Sequence, residues 1–152
     1  MRKIPPIALV LGGFGLLPFY GLGGLSLAPD PTFSRWGLVG FAIYAAVILS
    51  FLGGARWGLE LARAPDSPQA TVLGLSVAPS IIGWALAMAT LLGVMQVGVA
   101  AGFAMAFAAQ FIWDSRSPAE ANAPLWYPAL RQILTVGVLL SCLLPGVSVA
   151  LG

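Results

Sequence analysis

Residues 44–60 read YAAVILSFLGGARWGLE. An unbroken apolar run gives way, within about two helical turns, to two glycines, a cation, an aromatic ring, a third glycine and an acid. The apolar run also extends upstream, so the whole segment, about 36–62, exceeds the roughly 20 residues needed to cross about 30 Å of hydrocarbon. Backbone groups in lipid have no water to bond, so a crossing segment of this kind must be a helix. Arg56 and Glu60 then fall near the membrane surface at its end. The strict alternation of a β-barrel strand is absent.

The remainder of the chain fits that solvent. Of 152 residues, 59% are hydrophobic and 8% charged, and the mean hydropathy is +0.96. A soluble domain would carry about a quarter charged residues, so this chain is too poor in charge to cover a surface facing water. The net charge of +2, spread along the chain, gives no basis for nucleic-acid binding. There is no histidine, which removes the commonest general base and transition-metal ligand. The single cysteine, Cys142, has no partner for an intramolecular disulfide and no metal-site spacing. Neither a metal nor a cofactor is expected.

Five segments are long enough to span, at about 6–28, 36–62, 69–92, 94–113 and 129–150, and together they predict one domain over 1–152: an all-α five-helix bundle. Arg2-Lys3 and the apolar run ending Ser26-Leu27-Ala28 resemble a cleavable signal. The run is long for that, and Pro29 follows at once, so the segment is read as a retained helix. Pro5-Pro6 suit its first turn, Pro18 should kink it, and Phe19-Tyr20 fit an interfacial aromatic belt. Asp30 to Arg35 reads as a polar loop, with Trp36 opening the second helix. Ser67-Pro68 reads as a cap before the third, and Gly93 as the centre of a tight turn before the fourth. Ser117 to Glu120 fits a capping box and a short surface helix. Pro145 should kink the last helix. Six cations (Arg2, Lys3, Arg56, Arg63, Arg116 and Arg131) fall on one side and Arg35 alone on the other. By the positive-inside bias this predicts a cytoplasmic N-terminus and a periplasmic C-terminus.

The polar residues converge on the cytoplasmic ends of helices 2, 4 and 5. Arg56 and Glu60, four apart, share a helix face, with Arg63 one turn on. They serve as ordinary surface cations with snorkelling stems, or as a site that the flanking glycines leave accessible, with Trp57 stacking on a cation or anchoring the interface. Gln110 and Asp114 share a face of helix 4. A carboxylate at that depth needs a partner, and Arg131 and Arg56 are both at the right level. Tyr127 is a belt aromatic or a ligand group. Tyr44 and Ser50, deeper in helix 2, call for interhelical hydrogen bonds. Gly53, Gly54, Gly58, Gly98 and Gly102 are candidates for close helix packing. No catalytic constellation is present.

Three blocks carry a resemblance. They are YAAVILSFLGGARWG from Tyr44, Val77-Ala78-Pro79-Ser80 with Trp84, and Pro124-Leu125-Trp126-Tyr127-Pro128-Ala129-Leu130-Arg131 followed by Leu134-Thr135. In these the chain resembles the DUF3429 family of small membrane proteins, which has bacterial inner-membrane and mitochondrial members. The resemblance implies a five-helix membrane protein of unassigned activity and adds no reaction. The glycine-rich first helix and the Gly98–Gly102 face point to a non-enzymatic accessory, assembly or scaffold protein of a bacterial inner membrane, in contact with lipids and with other membrane proteins or itself. The alternative is a small-molecule or lipid binder or transporter built on Arg56, Trp57, Glu60, Gln110, Asp114, Tyr127 and Arg131. An enzyme would have to draw its acid and base from Asp114, Glu60 or Tyr127.

Overall fold

At Asp30 the chain enters its longest helix. The Asp30 carboxylate accepts from the backbone N–H of Thr32 at 2.8 Å and of Phe33 at 3.3 Å, and Pro31 occupies the first helical position. The cap satisfies donors that a helix start leaves open, and proline has none to lose there. Helix α2 consequently runs from Pro31 to Arg63. This corrects the expectation of a polar loop to Arg35, because the turn of sequence before Trp36 is already helical.

The computed structural model describes residues 3–94, 96–116 and 123–151. Around α2 stand α1 (Pro6–Leu25), α3 (Ala70–Leu91), α4 (Gln96–Ser115), α5 (Tyr127–Ser141) and α6 (Leu143–Leu151). Among the described residues there is no strand. Five stretches are long and apolar enough to cross a membrane, the fifth running from Tyr127 to Val147 through both α5 and α6. The expected capping box at Ser117–Glu120 lies outside the described residues.

Three boundaries have local causes. Helix α3 ends in a Schellman turn: Gly93 sits at φ +74°, where a side chain would be strained. Its N–H and that of Val94 return to the carbonyls of Thr90 and Ala89, the pattern that closes such an end. The last span breaks at Cys142 instead of bending at Pro145. Pro145 has no N–H for the Ser141 carbonyl four residues back, and its ring crowds that carbonyl. It falls instead in the first turn of α6, where the missing donor costs nothing. Helix α3 starts after Gln69, two positions after the expected Ser67; no side chain of its own caps it, and the Gln69 N–H is taken by the Glu60 carboxylate. Helices α1 and α3 continue through Pro18 and Pro79.

The helices close a ring, α1 to α2 to α3 to α4 to α5 and back to α1, with α4 also touching α2. Lipid tails are as apolar as leucine, so packing and interhelical hydrogen bonds hold the ring, with little help from water exclusion. Phe19 is its centre. It is 1% exposed and meets the rings of Phe41, Tyr44 and Phe107 edge-on at 5.5, 4.9 and 5.8 Å. It is a core residue, which corrects its placement in an interfacial belt. Two tyrosines tie α1 to its neighbours, Tyr44 donating to the Gly15 carbonyl and Tyr20 to the Gly137 carbonyl, both at 2.9 Å. Helix α2 makes close backbone approaches on two sides: a methyl group on Gly53 would collide with the Ser76 carbonyl oxygen of α3, and one on Gly37 with the Leu25–Ser26 backbone at the end of α1.

Candidate polar site at the charged end of the bundle

The ends of α2 and α4 and the start of α5 bring five charged side chains together. They divide into two bonded groups and one cation outside both.

Glu60 forms the first group. Arg63 donates to both its oxygens, Nε at 2.9 Å and Nη2 at 2.6 Å. One of those oxygens also accepts the Gln69 backbone N–H at 2.8 Å. A carboxylate in α2 thus closes the turn into α3 and satisfies a donor at the start of that helix. The forked guanidinium geometry is the strong form of such a pair.

Asp114 forms the second. Arg131 donates Nη2 to one of its oxygens at 2.6 Å, and Gln110 donates its amide to the other at 3.0 Å. All three residues are buried. The bond joins α4 to α5 across 17 residues of sequence, and it provides the partner that a carboxylate at this depth requires.

Arg56 is hydrogen-bonded into neither, though its charge reaches Glu60 one turn on. It is 2% exposed, so it does not snorkel into the headgroups. Its guanidinium lies over the Trp113 ring, 4.8 Å from the centroid, a favourable cation–π distance. Its Nε is buried with no acceptor, and so is the Nε of Arg131. Trp57 points outward at 40% exposure, so the ring facing the cation is Trp113 of another helix. Tyr127 lines a small void together with Arg56 and Asp114. That void measures about 10 Å³, about the space one water occupies.

The glycines divide as well. Gly53 is filled by α3, and a methyl on Gly102 would lie 2.7 Å from the Leu86 side chain. Beyond Gly54 and Gly58 nothing lies within 4 Å. Gly98 is exposed. Sequence reasoning missed Trp113 as the neighbour of Arg56 and the Gln69 N–H as a donor to Glu60. The first carried a weak signal, being adjacent to Asp114 on the same helix end. The second carried none, since a backbone donor has no side-chain signature. Among the described residues no three of His, Cys, Asp and Glu gather as metal ligands.

Five spanning helices and a polar end bonded largely to itself define a multi-pass membrane protein. The family model described as a protein of unknown function, DUF3429, matches residues 4–146, and the chain belongs to that family. Transmembrane protein 69 of Xenopus tropicalis is 32% identical over 146 residues, covering 90% of this chain and 52% of that protein. The chain therefore spans about half the length of this curated relative. No solved structure matches it.

Proposed function

We propose that the protein is a non-enzymatic accessory or scaffold protein of a bacterial inner membrane, with its N-terminus cytoplasmic and its C-terminus periplasmic, which binds another membrane protein or a second copy of itself. The observation that carries this reading is the outward pair Gly54 and Gly58. The two glycines lie one turn apart on α2, with open space where a side chain would stand and the exposed Phe51 and Leu61 on either side. Small residues at this spacing let a second helix approach closely in lipid, and no helix among the described residues uses the face. The charged groups support the same reading. Four of the five are engaged with one another, and the void among Arg56, Asp114 and Tyr127 is too small for a substrate.

Affinity purification of the full chain in a mild detergent tests the proposal. A stoichiometric partner or a homo-oligomer is expected, and the double variant Gly54→Leu/Gly58→Leu should release it. Recovery of the wild type as a lone monomer, or an undiminished complex in the variant, refutes the reading.

A further inference from the structure

A second cavity borders the Arg56–Asp114–Arg131 end, on the other side of Tyr127 from the small void. A cleft of about 510 Å³ opens between α1, α2 and α5, floored by Phe107 of α4. Its size is within the range of small-ligand pockets. Leucines, glycines, alanines and phenylalanines make up most of its wall, and Arg131, Tyr127 and Thr135 are its polar members. Leu11 and Phe51, at 64% and 67% exposure, line it from the lipid side.

Depth and charge define what fits. The wall of α1 runs from Ala8 to Phe19 and that of α5 from Tyr127 to Val138. At 1.5 Å per residue each is about 16 Å long, close to half of a hydrocarbon core about 30 Å thick. The cleft is therefore one leaflet deep. It starts at the charged end and stops at the bundle centre, at Phe19. The charged end holds an imbalance. The buried or half-buried cluster contains three arginines (56, 63 and 131) and two carboxylates, Glu60 and Asp114, leaving one positive charge in excess. Arg131, 93% of whose surface is covered, lines the cleft with an Nε that has no acceptor. Arg56, which makes no contact ion pair and is within electrostatic reach of Glu60, stands beyond Leu52, Ala55 and Tyr127, three residues that border both the cleft and the small void. An excess positive charge is costly in a low dielectric, and an anion reaching the end of the cleft would offset that cost.

We infer that the cleft holds one acyl chain of an anionic phospholipid from the leaflet at the charged end, with the lipid phosphate at Arg131. The exposed side between Leu11 and Phe51 admits the chain laterally, and the second chain of the lipid stays in the bilayer. Tyr127 and the stem of Arg131 line the passage from headgroup to chain. This site meets the Gly54–Gly58 face at Phe51, but its test reads lipid retention rather than a protein partner, so failure of one reading is distinguishable from failure of the other.

Native mass spectrometry of the full chain, released from micelles doped with phosphatidylglycerol, phosphatidylcholine or oleate, provides the test. The wild type should retain one phosphatidylglycerol at a ratio at least tenfold above phosphatidylcholine. The variant Gly15→Leu places a side chain in the middle of the cleft, where the nearest atom to a Cβ is the Tyr44 hydroxyl at 4.0 Å, an ordinary contact distance. It should lose the bound phosphatidylglycerol at least tenfold, with its helical circular dichroism unchanged. Arg131→Lys, which keeps a cation beside Asp114, should retain the lipid; Arg131→Gln should lose the preference for phosphatidylglycerol. Equal retention of both phospholipids overturns the inference. So does undiminished binding in Gly15→Leu, or stronger retention of oleate than of phosphatidylglycerol, which would make the ligand a free fatty acid.

Discussion

The Asp114–Arg131 pair offers a prediction whose size follows from its burial. Replacing Asp114 with leucine leaves the Arg131 side chain, 8% exposed, without its paired carboxylate between α4 and α5. Removing one partner of a buried pair costs about 3–5 kcal/mol. The variant also strips the Gln110 amide of its acceptor, adding about 1–3 kcal/mol for an unsatisfied buried donor. Asp114→Leu should therefore be destabilised by roughly 4–8 kcal/mol, a large part of the 5–15 kcal/mol that typically holds a domain. Arg131→Met alone should cost about 3–5 kcal/mol, because it strands the carboxylate. The double variant Asp114→Leu/Arg131→Met leaves no orphan charge, and replacing both members of a buried pair is often neutral or better. It should lie within about 2 kcal/mol of wild type once the Gln110 donor is counted. The cycle would then show a coupling of about 5 kcal/mol or more, above the 0.5–3 kcal/mol common for neighbouring residues. Titration with SDS in mixed micelles, followed by helical circular dichroism, measures all four states. If each single variant costs less than about 1 kcal/mol and the two costs simply add, the pair is solvated and the reasoning from burial is wrong.

Three further predictions are independent of that pair. Gly53→Ala and Gly54→Ala place the same methyl on adjacent residues with opposite results. The first forces α2 and α3 apart at the Ser76 carbonyl and should cost about 1–3 kcal/mol; the second meets nothing within 4 Å and should stabilise by up to about 1 kcal/mol through helix propensity, both read by the same titration. Glu60→Gln removes the forked Arg63 contact and weakens the acceptor for the Gln69 N–H, so the 64–69 turn should exchange its amide hydrogens faster while α2 stays protected. Asp30 is held below its ordinary value of 3.8 by the Thr32 backbone N–H and then by that of Phe33. Its cap therefore stabilises the folded chain at neutral pH and loses that contribution as pH falls from about 4 toward the lower folded value; Asp30→Asn, which still caps, should flatten this acid dependence in a pH series of melting temperatures.

The membrane class and the five spans were open to sequence reasoning because lipid imposes a length and an apolarity that nothing else in the chain can mimic. The polar end was open to it too: Arg56, Glu60, Gln110, Asp114, Tyr127 and Arg131 all fall near helix ends on one side, and a turn of helix fixes which share a face. The partners were not open to it. Arg56, Arg63 and Arg131 are each near an acid in sequence or in depth, and helix periodicity cannot say which guanidinium turns toward which carboxylate. That depends on how α2, α4 and α5 rotate against one another, and the rotation is set by where backbones can touch. Gly53 lets α3 come in against the Ser76 carbonyl, and Gly102 accepts Leu86. With those contacts made, Arg131 faces Asp114, Arg63 folds back on Glu60, and Arg56 lies over Trp113.

The stretch from Tyr44 to Glu60 shows the same division at its shortest range. Its sequence alone determined a spanning helix with a polar end, because an apolar run of that length has one solution in hydrocarbon. Only the tertiary structure gave its two adjacent glycines different neighbours, Gly53 inside against α3 and Gly54 outside facing open space. Neighbouring residues of a helix point about 100° apart, and which of them meets another helix is a property of the whole ring. The cleft between α1, α2 and α5 belongs to the ring as well. Its walls lie more than a hundred residues apart in sequence, at Ala8 and Tyr127, and they meet because the bundle closes α5 onto α1.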